Sequence, residues 1–155
     1  MYNKTNTDMI ARDTFINNAM EIAVKAHACQ VDKAGQPYIL HPLRMMVLAT
    51  QLEDKLVALL HDVVEDSDWT IEMLSAYFPK NITDAVDLLT RKKKVGKKEY
   101  LAKIKENDLA KTVKLLDIDD NSSSYRLSLI KDEETIYRLM KKYRDMRVFL
   151  LDLPT

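Results

Sequence analysis

The chain has 155 residues, 46% of them apolar and 31% charged, the make-up of an ordinary folded protein with enough length for one domain and a real core. Its 24 basic and 24 acidic residues cancel, so no general polyanion-binding surface is indicated and nucleic acid is not the default partner. One cysteine, Cys29, and two glycines, Gly35 and Gly96, exclude an intrachain disulfide, a Cys-rich zinc site and the Gly-rich loops of Rossmann and P-loop nucleotide sites.

No apolar run reaches the roughly 18–20 residues of a membrane span, and the N-terminus lacks a signal-peptide apolar core. With a lone cysteine, this points to a cytoplasmic protein with no membrane partner. So few glycines also argue against a turn-rich all-β fold. The expected fold class is all-α, in one domain over residues 1–155.

In chain order, Thr7 is placed to cap a helix from about Asp8 to Ala28, with Ile16, Ala19, Met20, Ala23, Ala26 and His27 at helical spacing. His27 on that face reads as a satisfied core or supporting histidine rather than a ligand. Gln30 to Tyr38 holds a Gly-x-Pro and reads as a structured loop of the kind that carries ligand contacts. His41-Pro42 opens the next helix, proline suiting its first turn, so His41 stands at a helix N-terminus.

After a break at 51–54, an apolar run Leu56 to Leu60 leads into His61-Asp62-Val63-Val64-Glu65-Asp66. This reads as a buried helix over Leu56–Val64 into which charge intrudes. Unpaired buried carboxylates are costly, and one cation between His61 and Asp62 would offset them. The plainer alternative is a polar cluster at a helix end. All three histidines, His27, His41 and His61, lie close in the sequence, which favours a shared site.

Thr70 caps a helix through Phe78, closed by Pro79, and another covers about Asn81 to Leu89. The Arg91 to Lys98 basic run is either a solvated loop or an electrostatic lip attracting a phosphorylated substrate. A helix from about Asn107 to Asp120 puts Lys114, Asp117 and Asn121 on one face. Asp119 and Asp120 lie at its C-terminus, where the dipole disfavours them, so basic neighbours or a cation should offset both. Ser122 to Ser124 break and recap the chain. The last helix, Asp132 to about Leu153, carries Ile136, Leu139, Met140, Tyr143, Met146, Leu150 and Leu153 as a packing stripe with no assigned chemistry.

Four motifs now stand in order: His27-x-x-Gln30; Lys33-x-Gly35-x-Pro37-Tyr38-x-x-His41-Pro42-Leu43; Leu60-His61-Asp62-x-x-Glu65-Asp66-x-x-x-Thr70; and Val113-Lys114-Leu115-x-Asp117-x-x-x-Asn121. Together they resemble the hydrolase domain of RelA/SpoT-type enzymes, within the HD superfamily of metal-dependent phosphohydrolases, over about residues 19–126. The resemblance implies a helical HD-domain bundle binding one Mn²⁺ and removing the 3′-pyrophosphate of (p)ppGpp to give GDP or GTP. It implies metal ligands His41, His61, Asp62 and Asp117, a catalytic pair Glu65 and Asp66, and nucleotide contacts at Lys33, Lys114 and Asn121. The resemblance leads us to expect no synthetase domain after the hydrolase, which would make the chain similar to the small stand-alone alarmone hydrolases. Two positions depart from the usual pattern: Asp32, where an arginine that packs on the guanine is common, and Ile118-Asp119-Asp120, where Arg-Leu-His is common.

The chemistry agrees on its own terms. Hydrolysing a polyanionic pyrophosphate ester calls for a cation to neutralise charge and activate water. Two imidazoles and two carboxylates suit a divalent transition metal better than Ca²⁺ or Mg²⁺. Crowding between Glu65 and Asp66 should raise the pKa of one. The alternatives are an HD phosphohydrolase for another nucleotide or phosphorylated metabolite, and a silent nucleotide-binding regulator keeping the metal as a clip. Any homo-oligomer would use exposed helix faces.

Overall fold

Ten helices and no strands form over residues 4–154, the part that the computed structural model describes: α1 (Lys4–Ala26), α2 (Leu40–Leu48), α3 (Leu52–Leu60), α4 (Val63–Asp66), α5 (Ile71–Ser75), α6 (Lys80–Leu89), α7 (Lys97–Lys105), α8 (Asp108–Asn121), α9 (Ser124–Ser128) and α10 (Glu133–Leu151). Leu56 to Leu60 are apolar all round and all buried, so α3 is the central helix, wrapped by α1, α2, α6 and α8. Leu59 is wholly buried, and Leu59→Ala is expected to cost about 2–5 kcal/mol of stability, measured by urea unfolding. A cost under about 1 kcal/mol would mean that the core around α3 collapses freely.

Several helix starts follow the expected chemistry. Thr70 Oγ1 accepts from the Met73 amide, Asn107 Oδ1 from Ala110, Ser123 Oγ from Arg126 and Asp132 Oδ2 from Thr135, each satisfying an otherwise orphaned first-turn N–H. Others differ. Helix α1 begins at Lys4, so Thr7 lies inside it rather than capping it, and it ends at Ala26. Helix α5 stops at Ser75, with turns replacing the last expected turn.

The most consequential difference is at the centre. The run expected as one helix through Val64 breaks at Leu60, resumes at Val63, and places His61 and Asp62 in the joint. Asp62 adopts φ −107°, ψ −2°, the bridge region that turns and many active-site residues use. Helix α7 was not anticipated among the lysines, yet Tyr100, Leu101 and Ile104 are buried on one face of it. Along α10, Leu139, Tyr143, Met146 and Leu150 are buried, whereas Met140 and Leu153 are 53% and 45% exposed and leave the expected stripe.

Candidate active site

The site is assembled where α2, the α3–α4 joint and α8 meet. One ligand atom from each of His41, His61 and Asp117 lies within 4.8 Å of the others, and all three residues are buried. His41 Nε2 is 3.3 Å from Asp117 Oδ1. His61 Nδ1 lies 2.8 Å from the Ala58 carbonyl, which can only accept, so Nδ1 carries a proton and Nε2 is the nitrogen turned inward. That Nε2 is buried with no hydrogen-bond partner. Its 2.9 Å approach to Asp62 Oδ2 is off the N–H direction, an electrostatic contact rather than an aligned bond. An orphaned buried nitrogen facing carboxylates is the donor set a cation would satisfy, so the residues present fit a metal ion.

Of the four expected ligands, His41, His61 and Asp117 converge. Asp62 stands beside His61 and accepts from the Tyr38 hydroxyl. Lys114 Nζ is 2.7 Å from Asp117 Oδ2, and the Asn121 side-chain amide donates to Oδ1, so the helical face read from sequence is one hydrogen-bonded unit. Burial pushes Asp117 up, but the Lys114 ammonium and His41 outweigh it and hold the carboxyl well below the usual range.

Glu65 and Asp66 follow on α4, both exposed. Glu65 Oε2 accepts the Arg91 amide at 2.8 Å. Asp66 is steadied through its carbonyl, which accepts from Gln30 Nε2 at 2.7 Å, while Gln30 Oε1 meets His27 Nδ1 at 2.8 Å. His27 thus supports the site from behind, outside the converging group. The Asp66 carboxyl, though open to solvent on one side, is pushed up, first by partial desolvation and then by Asp62 and Glu65; the expected direction holds, with crowding second to desolvation.

Two cavities flank these residues, of about 290 and 310 Å³. The first reaches Asp32, Lys33, Asp117 and Asn121, the second Glu65, Arg91 and Lys97, and both are lined by Asp62, Lys114 and Lys142. They are two ends of one cleft. From the basic run, Arg91 and Lys97 reach its wall, whereas Lys92 pairs with Asp87 at 3.2 Å. Lys142 and Tyr143 of α10 line the first cavity too, a contribution hidden in what reads as a packing stripe. Burial, then the charges of Lys33 and Lys114, lower the Lys142 pKa; such crowding of ammonium groups favours a polyanionic ligand.

A family model described as the HD domain matches residues 19–153. The chain belongs to the HD domain family. The match runs through α10, beyond the four motifs, in keeping with the place of α10 in the cleft wall. This HD domain is 36% identical over 96 residues to a guanosine-3′,5′-bis(diphosphate) 3′-pyrophosphohydrolase of Aquifex aeolicus, covering 59% of this chain and 13% of that protein. It is 30% identical over 142 residues to a probable enzyme of the same name from Mycoplasma pneumoniae, covering 78% of this chain and 19% of that one. The chain thus spans less than a fifth of these relatives' length. A solved structure described as a metazoan ortholog of SpoT that hydrolyses ppGpp aligns with TM-score 0.69 at 24% identity, over 90% of this chain and 84% of its own, and shows the shared fold. No helix among the described residues is long and apolar enough to cross a membrane.

The departures in this HD domain compensate one another. Asp32 Oδ1 accepts from the amides of Ala34 and Gln36, shaping the turn in which Gly35 sits at φ +74°, a left-handed conformation that glycine tolerates. Its Oδ2 meets Arg126 at 3.2 Å. Asp119 pairs with Arg147, and Asp120 with Arg44 and Arg126. Basic neighbours therefore offset the two carboxylates at the end of α8.

A pH test of the centre follows. Burial opposes charge on His61, but Asp62 and Asp117 outweigh it and push the imidazole up to about 9. In the metal-free protein that proton stabilises the fold fully below pH 6.5, the ordinary histidine value, and the contribution is lost as pH rises through about 9. A bound cation must displace the proton, so divalent-metal affinity is expected to rise about tenfold per pH unit up to about 9, with proton release measurable by calorimetry in buffers of different ionisation enthalpy. Affinity that stays flat between pH 6 and 8 would contradict this arrangement.

Proposed function

We propose that this HD domain is a metal-dependent (p)ppGpp 3′-pyrophosphohydrolase, releasing pyrophosphate and leaving GDP or GTP, and that it works in the cytoplasm with Mn²⁺ as the first candidate ion. The observation that carries the reading is the convergence of His41, His61 and Asp117 beside Asp62, with Asp62 and Asp117 lining a cavity walled by Lys33, Lys114 and Lys142. Names borne by relatives of the matching region support the substrate class.

In this reading His41, His61, Asp62 and Asp117 hold the ion, which when bound polarises a phosphoryl oxygen and lowers the pKa of water. Lys33, Lys114, Lys142 and Asn121 bind and neutralise the phosphates in the first cavity, and Arg91 and Lys97 extend the positive wall in the second. Glu65, fixed by the Arg91 amide, accepts a proton from the attacking water. Asp66, with its raised pKa, is the better suited of the pair to return a proton to the ribose 3′-oxygen as its bond to phosphorus breaks.

A second reading, hydrolysis of another phosphorylated nucleotide, draws on one observation: Asp32, committed to Arg126, occupies the position where the resemblance expects an arginine against the base. Both are tested by offering Mn²⁺-supplemented protein ppGpp beside GTP, GDP, NADPH and a generic phosphodiester, with Asp62→Ala as control. Metal-dependent GDP and pyrophosphate from ppGpp support the first reading. Turnover of a different substrate alone would discard it and retain the metal site.

A further inference from the structure

We infer that Asp120 is a positioning residue for His41: clamped by Arg44 and Arg126, its carboxylate holds the imidazole in the tautomer that leaves Nε2 open towards Asp117. The inference rests on reading His41 as a metal ligand, and it concerns a residue outside the ligand set and the catalytic pair.

The geometry argues as follows. Asp120 is buried, 4% exposed, in the last turn of α8, where the helix dipole works against a negative charge. It persists because four contacts converge on it. His41 Nδ1 lies 2.7 Å from Oδ2, Arg44 Nε 2.6 Å from Oδ1, Arg44 Nη2 3.0 Å from Oδ2, and Arg126 Nη1 3.0 Å from Oδ2. The arginines come from α2 and α9, and Arg126 is itself anchored by Asp32 of the 30–38 loop.

An ionised carboxylate can only accept, so His41 Nδ1 is the donor, and Nε2, which faces Asp117, is the nitrogen left for an ion. His61 obtains the same result from the Ala58 carbonyl. The two imidazoles of the centre are thus pinned from outside, one by the backbone and one by a charged side chain that departs from the family's usual histidine. Outer partners of metal-bound imidazoles typically contribute about 10–100-fold in metal affinity.

The test uses the full chain, stripped of metal and titrated with Mn²⁺ alone by calorimetry, together with ¹⁵N shifts of the His41 ring in the metal-free protein. Wild type is expected to show His41 protonated at Nδ1. Asp120→Ala should weaken Mn²⁺ binding about 10–100-fold at unchanged stoichiometry and shift the ring towards a tautomer mixture. Asp120→Asn, whose carbonyl can still accept without the charge, should fall between, and it carries the comparison if the alanine variant does not fold. A merely structural Asp120 would lower the melting temperature and leave both readouts in place. Wild-type affinity and unchanged ring shifts in both variants, with binding abolished in His41→Ala, would overturn the inference and leave the metal reading standing. Full Mn²⁺ binding by His41→Ala would overturn the metal reading, and the inference with it.

Discussion

Replacing His61 by alanine is expected to strip the protein of its metal and its activity together. The imidazole supplies a buried nitrogen that no protein group satisfies, and its removal leaves His41 and Asp117 without the third member of the converging group. Metal analysis of the purified variant should fall from about one ion per chain to none, with hydrolysis at the background rate. Asp62→Ala is expected to do the same, and there the experiment discriminates more finely. Asp62 stands next to the converging atoms and is engaged by the Tyr38 hydroxyl, so full metal in Asp62→Ala would reassign it from ligand to loop anchor. Retained metal in His61→Ala would undo the ligand assignment altogether.

Glu65→Gln separates chemistry from metal binding. Glu65 lies on the exposed side of α4, bonded to the Arg91 amide and not to the converging histidines. The amide can still accept that N–H, so metal content and fold should be preserved while the capacity to take a proton is lost. Turnover should slow by about 10²–10⁴-fold, the usual scale for a missing general base. The measurement is kcat with metal content determined on the same sample. Near-normal kcat would return Glu65 to a structural role, bracing the loop that begins at Arg91.

What could be read from the sequence follows the range of the interactions. Lys114, Asp117 and Asn121 were legible because one helix places them at i, i+3 and i+7, and the structure joins all three on the Asp117 carboxylate. His41 was legible because the following proline marks a helix start. The joint at His61-Asp62 was not: no glycine or proline interrupts Leu56 to Val64, and it is polar groups facing the core that end α3. Helix α7 was masked because its three buried side chains lie among four lysines. Lys142 and Tyr143 were missed because tertiary packing, not periodicity, decides that α10 borders the cleft. The sequence asks for an offset to Asp120, and while Arg126 is six residues away, His41 and Arg44 lie 79 and 76 residues away, beyond any local pattern.

Those separations also bear on how the molecule comes to be folded. Most helices here are closed by neighbours in the chain and can form on the microsecond scale typical of isolated helices. The links that complete the centre, His41 to Asp120 across 79 residues and Tyr38 to Asp62 across 24, are high-contact-order pairs whose loop-closure entropy must be met first. In a refolding experiment, helical circular dichroism should therefore recover before metal-binding capacity does, making the bound ion a reporter of the last stage of assembly.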